Sequence, residues 1–176
     1  MTTTNPEGNI ARHIWDMLVW RTADGELVPM LATSWKLVDD LTWEFKLRDD
    51  VYFHNGEHFA AEAVKFSLER ARDLEKSVDT TPFDVFYESS EIVDDYTIRI
   101  HTEQPAPKMI FALSNFMIMP PKYYTETPLE VAADNPVGSG CCKFVSWQRG
   151  GYDWRDALCR LRQALRQLDQ PAQQQP

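Results

Sequence analysis

Two histidines and a carboxylate stand close together in His54-Asn55-Gly56-Glu57-His58. Imidazole and carboxylate are zinc ligands, and a catalytic zinc takes three protein ligands at fixed geometry plus one open position. The metalloprotease pattern is H-E-x-x-H on a helix. Here the spacing is H-x-x-x-H, the glutamate is displaced, and Asn-Gly favours a tight turn over a helix. The segment reads as a turn, with a small metal-dependent hydrolase using His54 and His58 as the alternative. Cys141-Cys142 offers two thiols, but adjacent cysteines cannot close a relaxed disulfide and C-x-x-C spacing is absent. No histidine is near them in sequence. Gly138-Ser139-Gly140 lacks the further glycine, the lysine and the strand-to-helix setting of a phosphate loop. Neither Ser114 nor Ser139 sits in a G-x-S-x-G elbow. The pairs Asp39-Asp40, Asp49-Asp50 and Asp94-Asp95 fall at expected hairpin ends, where solvated turns use aspartate. None of these groups composes a catalytic set, so the reading is a non-enzyme that needs no cofactor and no metal.

The elements that position these residues are legible in the spacing of apolar side chains. Asn5-Pro6 has the form of a helix start, with Ile10, Ile14, Met17 and Leu18 on one face. Ala23-Asp24-Gly25 is a turn. Leu41, Trp43, Phe45 and Leu47 alternate with Thr42, Glu44, Lys46 and Arg48, which predicts a half-buried strand, paired across Asp39-Asp40 with Ser34–Val38. Val51–Phe53 is a short strand before the His54-Asn55-Gly56 turn. Ala60–Arg72 is a helix with Val64, Leu68 and Ala71 as its apolar stripe. Glu91–Val93 and Tyr96–His101 form a second hairpin, with Tyr96, Ile98 and Ile100 on one face. Pro105 and Pro107 open a short helix to about Leu113. Phe116–Met119 reads as a strand ended by Pro120-Pro121, Asn135–Gly140 as a loop and Lys143–Trp147 as a strand. Hairpins mixed with a few helices give an α+β fold.

Composition narrows the function. The chain has 176 residues and a formal net charge of −9. That length holds one ordinary domain or part of a larger one. An acidic chain lacks the Lys/Arg surplus that phosphate neutralisation needs, so nucleic acid is not an expected partner. No apolar run approaches the roughly 18 residues of a membrane span. Met1–Met30 has neither the basic start nor the continuous apolar core of a signal peptide.

Composition also changes abruptly near residue 147. Residues 1–147 hold a single glutamine, Gln104, whereas residues 148–176 hold seven. The first stretch has thirteen basic and twenty-four acidic side chains, a formal charge of −11; the second has five arginines, three aspartates and no glutamate, a charge of +2. Two readings stand. One is a polar helix carrying Leu158, Leu161, Leu165 and Leu168, followed by a Gln/Pro end. The other is translation in a shifted frame, which GC-rich codons would render as Arg, Ala, Leu, Gln and Pro.

Several of these segments together resemble one family. They are LVPMLATS at Leu27–Ser34 followed by Trp35, TWEFKLR at Thr42–Arg48, VYFHNGEHFAAEAVKFSLER at Val51–Arg70, and NPVGSGCCKFVSW at Asn135–Trp147. In order and spacing they resemble the dipeptide/oligopeptide-binding group, solute-binding family 5, of ATP-driven bacterial importers. The resemblance covers nearly all of residues 1–147. It implies that residues 1–147 are part of the first lobe of a two-lobed periplasmic binding protein-like fold that includes a β-rich subdomain; residues 148–176 stand apart by composition as an atypical Arg/Gln-rich tail. It also implies a peptide or other small solute as ligand, inner-membrane permease and ATPase subunits as partners, and a periplasmic location. The family's G-T-G-P-Y motif is altered, with Cys141 and Cys142 at the Pro and Tyr places, and similarity fades after Trp147. The loss of similarity coincides with the compositional break, which favours the shifted frame and leaves a non-functional gene remnant as a further alternative.

By the same resemblance, Thr3, Thr4 and Asn5 lie where a first-lobe loop approaches the ligand cleft, and Trp20 is a candidate cleft wall. A chain matching only an N-terminal third of a two-lobed binder leaves apolar faces without their partners. The expected outcome is marginal stability. Thermal melting followed by circular dichroism should show a transition below about 50 °C, under the usual range of intact domains.

Overall fold

The computed structural model describes residues 11–72 and 87–146. Within them ten elements follow one another: β1 (Val19–Arg21), β2 (Leu27–Pro29), β3 (Ala32–Asp39), β4 (Thr42–Leu47), α1 (Ala61–Ala71), β5 (Tyr87–Asp94), β6 (Thr97–Thr102), α2 (Met109–Leu113), α3 (Pro121–Glu126) and α4 (Leu129–Asp134). β1 and β2 pair as a two-stranded antiparallel sheet, and a four-stranded antiparallel sheet runs β3-β4-β6-β5. The architecture is the α+β one read from the hairpins.

The alternation in β4 and β6 sets the large sheet's two faces. Trp43 pairs with Ile100 and Phe45 with Ile98, and Phe45, Ile98 and Ile100 are fully buried. Helix α1 covers this core with Val64 and Leu68, four residues apart on one face. Its buried Ser67 donates to the Ala63 carbonyl at 2.7 Å and accepts the Met119 amide at 2.9 Å, which ties the helix to the segment beyond α2. The opposite face carries a polar ladder. Glu44 is buried and takes Lys36 Nζ on one oxygen and Arg99 Nε on the other, each at 3.0 Å. Arg99 reaches on to Glu91 at 3.7 Å, so charges alternate in sign across all four strands. Asp39-Asp40 and Asp94-Asp95 are at hairpin ends, with Asp39 and Asp94 accepting the Leu41 and Tyr96 amides; Asp49-Asp50 is not, because β4 leads on to α1, and there Asp50 pairs with Arg48.

Several expectations are corrected. The helix described at residues 11–14 stops there, and Met17 and Leu18 are not on its face. Their carbonyls accept the amides of Leu31 and Ala32 at 3.1 and 2.9 Å, and Met17 bridges to Met117. Cross-chain bonds at these positions replace another helical turn. Phe116–Met119 contributes that single bridge and no strand, and Pro121 opens α3, its fixed φ suiting a first helical position. Val51–Phe53 likewise shrinks to one bridge, Tyr52 to His58. Leu41 lies in the hairpin turn, exposed, rather than on the buried face of β4. Residues 143–146 form no strand, and Val145 is 69% exposed. Helices α3 and α4 were not expected, since six residues are too few to show a helical period. Asn5-Pro6, Ile10 and the tail from residue 148 lie outside the described residues.

Hydrogen bonds from Lys36, then Arg99, hold the Glu44 carboxyl below its ordinary value of 4.5. The stability this adds is present above 4.5 and is lost as pH falls through the lowered folded value. Glu44→Gln should therefore lower the urea midpoint at neutral pH, and the gap from the parent chain should narrow progressively below about pH 4.5. A gap that is constant with pH would show that the ladder does not act through charge.

Candidate functional site

Three segments far apart in the chain converge on one place: residues 12–16, the turn at 54–58, and the loop at 135–142. The turn comes first. Gly56 adopts φ of +90°, which only glycine takes readily. Asn55 braces it by accepting the Glu57 amide at 3.2 Å while its own amide group bonds the Glu57 carboxylate. Glu57 then receives the amides of Lys122 and Tyr123 at 3.1 and 3.0 Å, the first turn of α3, where a carboxylate is favoured. Its role is to cap a helix.

The loop docks on the turn and on residues 13–15. The His54 amide donates to the Gly138 carbonyl and His54 Nε2 lies on the Gly140 carbonyl, both at 2.8 Å. The Gly140 amide donates to the Ile14 carbonyl and the Cys142 amide to the His13 carbonyl, again at 2.8 Å. Trp15 Nε1 donates to the Val137 carbonyl at 2.8 Å, and the Tyr124 hydroxyl bonds the Val137 backbone. The approach is close enough that a side chain is excluded. A Cβ on Gly138 would stand 2.1 Å from the Ile14 carbonyl oxygen, and one on Gly140 2.5 Å from that of His13.

Burial governs the electrostatics of this junction. Burial raises the Asp16 carboxyl above its usual range, opposed by the Ser139 hydroxyl and by the His54 and Arg48 charges. Burial, then the neighbouring Cys142, pushes the Cys141 thiol up to about 11. A thiol so placed carries its proton at neutral pH, which is contrary to a catalytic nucleophile. Arg12 extends toward Asn115 at 2.8 Å.

The residues singled out from sequence separate here. His54 is in the convergence, whereas His58 bonds the Asp49 carbonyl through Nε2 and packs edge-on to Tyr52 and Tyr96. Each imidazole is thus committed to a different backbone carbonyl. Trp20 lies on β1 opposite Val28 and is 36% exposed. Thr3, Thr4 and Asn5 lie outside the described residues. Sequence reasoning missed His13, Trp15, Asp16 and the two tyrosines of α3. Their partners are more than a hundred residues away in most cases, and no local spacing marks them.

Over residues 26–154 the chain matches the family described as bacterial extracellular solute-binding proteins, family 5 Middle. It belongs to that family. The match runs through every segment that carried the resemblance, and it extends past the compositional break at 147. Among curated relatives, the glutathione-binding protein GsiB of Pectobacterium atrosepticum is 29% identical over 164 residues, covering 86% of this chain and 32% of the relative. The probable D,D-dipeptide-binding periplasmic protein DdpA of Escherichia coli is 30% identical over 164 residues, covering 85% and 31%. Among solved structures, NikZ of Campylobacter jejuni in complex with Ni(L-His) superposes with a TM-score of 0.70 at 34% identity, covering 78% of this chain and 28% of that one. The chain spans about a third of the length of the curated relatives it matches.

If the glycine contacts hold the convergence together, Gly140→Ala should destabilise the fold by about 1–3 kcal/mol, the cost of overpacking against backbone. Ser139→Ala, beside it, puts no new atom against backbone and should cost less than Gly140→Ala. Urea unfolding of the two variants is the comparison, and equal losses would refute the packing argument.

Proposed function

We propose that this family 5 chain is first-lobe material of a solute-binding component that delivers short peptides to an inner-membrane permease and its ATPase from the periplasm. The observation that carries this reading is the family match together with relatives aligned over most of the chain. The ligands these relatives are named for share one chemistry: glutathione, a D,D-dipeptide and a nickel–histidine complex all contain amino-acid amine and carboxylate groups. A binder of this kind closes two lobes on its ligand, and occupancy shifts the open–closed equilibrium. Specificity then rests on a few polar and aromatic groups in an enclosed pocket. In this reading Trp20, partly exposed on β1, supplies apolar contact, and Thr3, Thr4 and Asn5 supply polar contacts to the ligand.

The nickel-binding periplasmic protein of Escherichia coli is 53% identical over 52 residues, 29% of this chain, which makes a nickel complex the second reading. Calorimetric titration of the purified chain, its thiols alkylated so that they cannot take nickel, separates the two. A dipeptide or glutathione should give saturable heat, and Ni(L-His) should give none; the reverse result would replace the peptide by nickel. Trp20→Ala should weaken peptide binding about tenfold, the loss expected of a contacting tryptophan, with the melting curve unchanged.

A further inference from the structure

We propose that His13, Cys141 and Cys142 form a binding site for a soft d10 metal ion of the zinc(II) or copper(I) class. Cys141 Sγ lies 3.5 Å from Cys142 Sγ and 3.8 Å from His13 Nδ1. One donor atom from each of the three residues falls within 4.8 Å of the others. A tetrahedral ion with metal–sulfur bonds of about 2.3 Å and metal–nitrogen bonds of about 2.0–2.1 Å sets neighbouring sulfurs about 3.8 Å apart and sulfur about 3.6 Å from nitrogen. Two edges of the donor triangle are thus within about 0.3 Å of the lengths that a shared ion imposes. The third is no longer than 4.8 Å, and the His13 side chain is exposed. The sulfur–sulfur separation is far beyond the roughly 2.05 Å of a disulfide, so the two cysteines are not bonded to each other.

The donor chemistry is selective. Two thiolates and an imidazole, with no carboxylate in the set, favour soft or borderline ions over magnesium and calcium. The backbone holds the set in place without a metal. The Cys142 amide bonds the carbonyl of His13 itself, and the Gly140 amide bonds the next carbonyl, that of Ile14, each at 2.8 Å. The two ligand-bearing stretches of chain are thus fastened at the site, and little ordering remains to be done when the ion arrives. Three protein ligands leave a fourth position. The half-buried cysteines and the exposed histidine place it at the surface, open to water or to an external donor. On binding, each thiol gives its proton to solvent as its sulfur takes the metal, so affinity rises with pH. The site is distinct from the solute reading, and either can fail without the other.

The test uses the whole chain with thiols reduced and oxygen excluded, in a Cys159→Ser background so that the third thiol does not contribute. Zinc(II) is titrated in competition with a chromophoric chelator, and cadmium(II) is added to read the ultraviolet thiolate-to-metal charge-transfer band. One equivalent should bind. Cys141→Ser with Cys142→Ser should abolish the band, and His13→Asn should weaken zinc at least tenfold. His13→Cys, a soft replacement at an exposed position, should retain binding and add band intensity. Because adjacent cysteines can chelate metal in an unfolded chain, the His13 dependence is remeasured in urea, where it should vanish. Sub-stoichiometric zinc, a band that survives loss of both cysteines, or an affinity indifferent to His13 in the folded chain would each overturn the assignment.

Discussion

The contact on which this structure turns is the backbone apposition of residues 138–142 against 13–15. Two amide-to-carbonyl bonds, Gly140 to Ile14 and Cys142 to His13, bring together chain segments over 120 residues apart. They form only because neither Gly138 nor Gly140 has a side chain; a methyl group at either would intrude on a carbonyl oxygen. Unpaired buried amides are costly, so once the loop is pressed inward each of its donors must find an acceptor, and these carbonyls supply them. The turn at His54 is the third party to the contact. Its amide and its imidazole both take carbonyls of the loop.

The four-stranded sheet gives that junction a rigid support. Its inner face is an ordinary apolar core around Phe45, Ile98 and Ile100, sealed by α1. Its outer face is ordered by charge, with Glu44 satisfied on both oxygens. The covered carboxylate is tolerated there because two cations, themselves open to solvent, each bond one of its oxygens. The His54 turn lies in the short connection between β4 and α1, so its position is set by two of the best-packed elements. Glu57, on the same turn, fastens α3 by capping its amides. The motif with the look of metal chemistry is thereby structural: one imidazole and one carboxylate each hold backbone.

Metal chemistry reappears where local spacing marks it least. The two cysteines are neighbours in the chain, and the histidine beside them comes from more than a hundred residues away. The junction holds His13 against the cysteines, so the constraint that shapes the lobe also assembles the donor set.

Local order is legible in the residues themselves. The alternation in Thr42–Leu47 and Thr97–Thr102 sets two strands and their faces, because a half-buried sheet needs a period of two. Asn55-Gly56 marks a turn, because positive φ favours glycine. The Val64–Leu68 stripe places α1, and the motif blocks name the family. Where a segment's state depends on a distant partner, sequence is silent or misleading. Met17 and Leu18 have helical spacing yet lie outside the helix, since the amides of Leu31 and Ala32 claim their carbonyls. The Lys143–Trp147 stretch alternates like a strand, yet no described neighbour pairs with its first four residues. The meeting of His13 with Cys141 and Cys142 is decided by tertiary structure alone, because hydrogen bonds across 128 residues leave no periodic trace in the chain.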